Sequence, residues 1–177
     1  MLPSDAATVG DITGTWWIAH TKARAEKAFA WDLVRKGIAH FLPMAERVRV
    51  YDGRKRRMMI PLFPSYVFFC GDEEARYNAF QTDRLANVIP VKEQGRLVSE
   101  LVGIERAVRG SSDLELYQSL PVGRFCRVTG GPLAGLEGIV VRRDDVTKFV
   151  VQVTVLGFGA ALNVDPDLLT AVDSESV

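Results

Sequence analysis

The run Pro61-Leu62-Phe63-Pro64-Ser65-Tyr66-Val67-Phe68-Phe69-Cys70 constrains the fold more than any other stretch of the chain. Its two prolines bracket Leu62 and Phe63, leaving them without neighbouring ladder donors, and the segment after Ser65 is aromatic and β-branched, the composition of a buried strand. A kinked entry therefore feeds a central strand. Side chains alternate along a strand, so Tyr66 and Phe68 point to one face and Val67 and Phe69 to the other. With an aromatic on each, both faces need a cover, from the chain's own helices or from a partner. As a pattern the run specifies a core strand and no chemistry.

The segments around it supply elements to pack. Residues 1–14 mix Ser, Asp, Thr, Gly and Pro without a period and are expected to form a mobile arm. Trp16-Trp17-Ile18-Ala19-His20 reads as a short bulky strand. A helix is predicted over 22–36, capped by Thr21, closed by Gly37, with Ala25, Ala28, Phe29 and Leu33 on its apolar face. Arg47, Arg49 and Tyr51 then alternate with Val48 and Val50, and Asp52-Gly53 signals a tight hairpin whose return arm covers 54–60. Beyond the central strand, Asp72 caps a helix over 73–82 with Ala75, Ala79 and Phe80 inward. Val88-Ile89-Pro90-Val91 reads as a strand, and 99–109 as a helix capped by Ser99 and stopped by Gly110. This order predicts an α+β unit, an antiparallel sheet flanked by helices.

Gly110-Ser111-Ser112-Asp113 opens a polar stretch reaching about Ser119, short enough to link two compact units. After Pro121 the helical signals vanish. Short apolar runs at 125–128, 138–141, 149–155, 160–164 and 168–172, separated by Gly, Pro and Asp, predict a small five-stranded β-barrel. The expected division is an arm over 1–14, an α+β domain over 15–110, a linker over 111–120, a barrel domain over 121–173 and a tail over 174–177.

Charge narrows the function classes. The 177 residues hold 22 Lys and Arg against 22 Asp and Glu, a formal net charge of zero that excludes a protein coating nucleic acid. One patch departs from the balance: Arg47, Arg49, Arg54, Lys55, Arg56 and Arg57 face a single acid, Asp52, within residues 47–57. The first fifteen residues lack a cationic start followed by an apolar run, and no segment has the roughly eighteen uninterrupted apolar residues of a membrane span, so a cytoplasmic protein without membrane contact is expected. Cys70 and Cys126 sit in apolar strand-like runs and read as reduced core residues. His20 and His40 form no metal-type cluster with them, and no Gly-rich loop enters a helix as a phosphate cradle requires. Gly130-Gly131-Pro132 lies between strands, and Glu73-Glu74 and Asp144-Asp145 read as solvated caps or turns. No catalysis, cofactor or metal is expected.

In the second domain, Phe125-Cys126-Arg127-Val128-Thr129-Gly130-Gly131-Pro132-Leu133-Ala134-Gly135-Leu136-Glu137-Gly138-Ile139-Val140 resembles the KOW motif: an apolar strand, a Gly/Pro turn, and a glycine before the next apolar strand. Residues 61–68 lie between the Trp16-Trp17 strand-helix opening and this KOW segment. Together they resemble the NusG family of transcription elongation and antitermination factors, in which an NGN domain precedes a KOW domain. Val155-Leu156-Gly157-Phe158-Gly159-Ala160-Ala161-Leu162-Asn163-Val164 is similar to that family's closing KOW strands. The resemblance covers residues 16–172. Phe41-Leu42-Pro43-Met44 and Pro61-Leu62-Phe63-Pro64 look closer to the specialised paralogues typified by RfaH than to housekeeping NusG.

The resemblance implies a monomer that binds RNA polymerase across the DNA channel and reduces pausing, with Phe63, Pro64, Tyr66 and Phe68 forming or supporting the polymerase-binding surface. It implies DNA contact by Arg54, Lys55, Arg56 and Arg57 at the hairpin tip, with Arg76, Tyr77 and Asn78 on the following helix as further candidates. The His-Thr-Thr segment by which RfaH recognises its DNA element is absent from that helix. The KOW domain of such proteins docks a small-subunit ribosomal protein or the termination factor Rho, a contact assigned here to Phe158, Gly159 and Ala160. The family's loop there often carries a charge that this chain lacks. The β-branched run Val150-Val151-Gln152-Val153-Thr154-Val155 favours a permanent barrel over a domain that refolds as helices. A second reading, a ribosome-associated RNA-binding KOW protein, is opposed by the zero net charge and the large mixed domain.

Overall fold

The computed structural model describes residues 8–119, 122–143 and 146–172. The elements are β1 (Trp16–Thr21), α1 (Glu26–Arg35), β2 (Ala39–Phe41), β3 (Met44–Tyr51), β4 (Arg54–Pro61), β5 (Tyr66–Cys70), α2 (Glu73–Phe80), β6 (Leu85–Pro90), α3 (Gln94–Gly110) and β7 (Glu115–Tyr117), then β8 (Arg124–Val128), β9 (Glu137–Arg143), β10 (Val146–Val153), β11 (Phe158–Leu162) and β12 (Leu169–Ala171). This is the α+β class with a separate all-β part. Two compact units divide the chain, one comprising Met1–Met44 with Met59–Val102 and the other Ala45–Met58 with Gly103–Val177. Residues 1–7 of the expected arm, Asp144-Asp145 and the tail lie outside the described residues; in the rest of the arm Val9–Asp11 forms a 3-10 turn with Val9 buried.

In the first unit an antiparallel sheet runs in the order β2-β5-β1-β6. The central strand is β5, as its composition predicts, with Phe68 opposite Ile18 on one side and Phe41 on the other. Val67, Phe69 and Ala19 share a core with Phe29, Ala30 and Leu33 of α1 and Ala79 of α2. Phe69 meets Phe29 edge-on at 6.3 Å between ring centres. The chain's own helices therefore cover this face. On the opposite face Trp16, Ile18, Phe41, Phe68 and Cys70 are all buried. Burial raises the Cys70 thiol pKa to about 11, which keeps it protonated and unreactive at neutral pH.

Two helices begin away from their predicted starts. α1 starts at Glu26 rather than at 22, because Arg24 takes a left-handed backbone (φ 60°) and the Lys22 N–H is committed to the Arg84 carbonyl. α3 starts at Gln94, five residues before the expected Ser99. The side chain of Gln94 explains this: its amide oxygen accepts the Trp16 N–H at 2.8 Å while its nitrogen donates to the Trp16 and Val91 carbonyls, fastening the helix start to β1. At α2 the Asp72 cap forms as expected, accepting the Ala75 N–H at 2.8 Å, but Phe80 is exposed instead of inward.

The imidazole of His40, on β2, is fully buried with Nδ1 3.1 Å from the Ile38 carbonyl oxygen. Burial lowers its pKa from the ordinary 6.5. The unfolded chain thus takes up this proton at a higher pH than the folded one, and stability falls as pH drops below about 6.5, by up to about 1.4 kcal/mol per pH unit. Urea unfolding between pH 7.5 and 5.5 should show this loss in the wild type and a flatter profile in His40→Gln. Parallel profiles would show that other groups carry it.

The second unit is built on a six-stranded antiparallel sheet in the order β12-β8-β9-β10-β11-β7. Its last five strands are those predicted for the barrel. The sixth, β7, comes from the polar stretch expected to be a linker and pairs with β11, Leu116 opposite Ala160. Leu114 beside it is buried, and Tyr117 packs on Val141, Val150 and Ala161. The C-terminal half of α3 also belongs here. A Cβ at Gly110 would lie 2.5 Å from Leu133, so glycine permits the helix end to approach the β8–β9 connection.

The hairpin β3–β4 forms its own two-stranded sheet within the second unit. Asp52 and Gly53 both take positive φ (47° and 71°), as the tight hairpin turn of this sequence requires.

Candidate functional site

Residues 61–66 make a corner held by backbone hydrogen bonds from three directions. Leu62 N–H donates to the Pro43 carbonyl at 2.9 Å, Tyr66 N–H to Phe63 at 3.2 Å, and Thr21 N–H to Ser65 at 2.8 Å. Ser65 is a non-glycine residue in the left-handed region (φ 67°), and its N–H donates to Oε1 of the buried Glu26 at 2.6 Å. A charge-assisted bond from the first turn of α1 thus fixes the conformation that local sterics disfavour. The neighbouring Asp32 of α1, also buried, pairs with Arg35 and Arg84.

The corner separates the four candidate side chains. Phe63 is 0% exposed, its ring edge-on to Phe68 at 6.2 Å, and Phe68 is 0% exposed with Phe41 stacked at 6.5 Å. These two rings support the corner from within. Pro64 is exposed and Tyr66 half-buried. Tyr66 stacks on His20 at 5.1 Å, and His20 lies opposite both Tyr66 and Asn87 across the sheet. Alternation along Trp16-Trp17-Ile18-Ala19-His20 carried the signal that His20 shares the Tyr66 face.

Arg54, Lys55, Arg56 and Arg57 are exposed on β4. Arg57 pairs with Glu46 across the hairpin at 3.3 Å; Arg54, Lys55 and Arg56 form no ion pair among the described residues. On α2, Arg76 is turned inward over the Trp17 ring, 5.2 Å from its centre, and pairs with Glu73 at 3.2 Å. Tyr77 is 64% exposed and Asn78 half-buried. The hairpin and α2 belong to different units.

Of the three KOW candidates only Phe158, half-buried, reaches the surface; Gly159 and Ala160 are buried on β11. A Cβ at Gly159 would lie 2.7 Å from Val150 Cγ1, and one at Gly138 2.7 Å from Phe149, so both glycines serve close packing across β10. Pairing with β10 and β7 occupies both backbone edges of β11. Among the described residues no group of His, Cys, Asp or Glu could hold a metal ion, and no helix is long and apolar enough to cross a membrane.

Residues 14–115 match the family model described as "Transcription termination factor nusG", a span that holds the whole first sheet and the corner. The chain belongs to the NusG family. Residues 122–155 match the KOW motif model, which covers β8 to β10. NusG-family domains make the chain a transcription factor of the elongation class. Among solved structures, one described as "Domain interaction in Thermotoga maritima NusG" aligns with a TM-score of 0.47 at 18% identity, covering 90% of this chain and 97% of that one. No curated protein matches the chain.

Proposed function

We propose that the protein binds RNA polymerase through the surface where Pro64 and Tyr66 emerge, bridges the DNA channel and reduces pausing. What carries the reading is the corner at residues 61–66, a strained backbone fixed by Glu26 that presents a proline and an aromatic with a polar end over a fully buried base of Phe63, Phe68 and Phe41. A rigid aromatic at the edge of a packed core is the chemistry of an interface anchor, since it loses little entropy on binding. His20 joins Tyr66 in that surface, while Phe63 and Phe68 act by holding it in shape.

The basic hairpin contacts DNA in the elongation complex through phosphates, without reading sequence. On α2, Tyr77 and Asn78 are the side chains open to a DNA contact of their own, since Arg76 is engaged with Trp17 and Glu73. The KOW domain recruits a small-subunit ribosomal protein or Rho through the surface around Phe158. The Pro61–Pro64 corner also supports placing the chain among the specialised, RfaH-like paralogues. Affinity purification of the tagged full-length chain from cells should yield polymerase subunits; enrichment of ribosomal RNA instead would favour a ribosome-associated protein.

A further inference from the structure

The two faces of the β3–β4 hairpin carry different chemistry. A two-residue turn at Asp52-Gly53 sets the register, with residue 51 opposite 54, 49 opposite 56 and 47 opposite 58. The Glu46–Arg57 ion pair agrees with it, because that register puts 46 and 57 on one face at diagonal positions. Directly opposed residues share a face. Arg47, Arg49, Arg54 and Arg56 therefore stand together on one face with Met58 and no acid. On the other face Lys55 and Arg57 are offset by Glu46, and the exposed Val48, Val50 and Met59 lie between them. The cationic character belongs to a face rather than to the tip, and it includes two arginines of β3. Among the described residues none of the four arginines is ion-paired, and three of them, Arg49, Arg54 and Arg56, are exposed.

We propose that this arginine face binds the phosphate backbone of duplex DNA directly, in a binary complex that needs no polymerase. The proposal deepens the DNA contact proposed above and rests on that reading for its setting in transcription. Residues two apart on a strand are about 6.7 Å apart, so the four guanidiniums extend along about 13 Å of ribbon, against a duplex carrying one phosphate per about 1.7 Å of axis. A two-stranded ribbon fits a major groove about 12 Å wide, which selects the duplex as occupant. Guanidinium-to-phosphate contacts carry no base information, so binding is independent of sequence.

Fluorescence anisotropy of full-length protein with a labelled duplex of about 20 base pairs, titrated from 50 to 200 mM salt, tests the face assignment. The variant Arg47→Gln/Arg49→Gln/Arg54→Gln/Arg56→Gln should reduce the slope of log affinity against log salt by roughly 3 to 4, with at least a hundredfold loss of affinity at 50 mM. Lys55→Gln/Arg57→Gln should change the slope by at most about 1, because Glu46 already offsets one of its two charges. Equal losses in the two variants, or tighter binding of single-stranded DNA or RNA of the same sequence, would overturn the proposal. A wild type that fails to bind duplex but still purifies with polymerase overturns this inference alone. One that binds duplex but does not purify with polymerase supports it and overturns the polymerase reading. All substituted positions are exposed or half-buried, and circular dichroism checks that the variants fold.

Discussion

Phe68→Ala is expected to destabilise the first unit by about 3–5 kcal/mol, the range for emptying a fully buried phenylalanine site. The ring is 0% exposed on the central strand, touches Phe41 and Phe63, and lies opposite Ile18. Those neighbours belong to the two flanking strands and the corner, so the cavity cannot close by the shift of one side chain. Trp16, Trp17 and Trp31 are the only tryptophans and all lie in the first unit, so urea unfolding followed by tryptophan fluorescence reports that unit separately from the KOW sheet. At about 4–8 °C per kcal/mol for a domain of this size, the thermal midpoint should fall by more than about 10 °C. A loss under about 1 kcal/mol would mean that the ring is not part of a packed core. The corner would then lack the support that the functional reading requires.

Tyr66→Ala is expected to weaken binding to purified RNA polymerase by about thirtyfold or more, equivalent to the roughly 2 kcal/mol that marks an anchoring interface residue. The first unit should lose much less stability than in Phe68→Ala, because Tyr66 is half-buried and stacks on His20 near the ends of the two inner strands. Tyr66→Phe separates two roles within the residue. It keeps the ring, so affinity recovered by this variant assigns the contact to packing, whereas affinity lost in both assigns it to the hydroxyl. Unchanged affinity in Tyr66→Ala would place the polymerase contact elsewhere on the protein.

The corner shows where sequence reasoning reaches and where it stops. The alternation of Tyr66 and Phe68 against Val67 and Phe69 is a local property of strands, and the structure keeps it. Whether a given ring meets solvent depends on contacts that strand period does not encode: Phe63 turns back onto Phe68 around the corner, and Phe41 reaches Phe68 from another strand. For the same reason β7 is invisible in a polar stretch, since its three residues become a strand only by pairing with β11 more than forty residues later. Helix starts depart from expectation where side chains or special torsions override propensity, at Arg24 and Gln94. Features whose causes are local were legible, the Asp52-Gly53 turn and the Asp72 cap among them. The grouping of the hairpin with the second unit was not, because it depends on tertiary packing. At the KOW site Gly159 reads from sequence as part of a recognition loop, whereas close packing against Val150 accounts for it.

The functional reading is tested most directly by the lifetime of RNA polymerase at a defined pause site in a purified system, with and without the full-length protein. A shorter pause is expected with the wild-type chain, and little effect from Tyr66→Ala at the same concentration. A pause lifetime unchanged by saturating wild-type protein would contradict the proposed role in elongation.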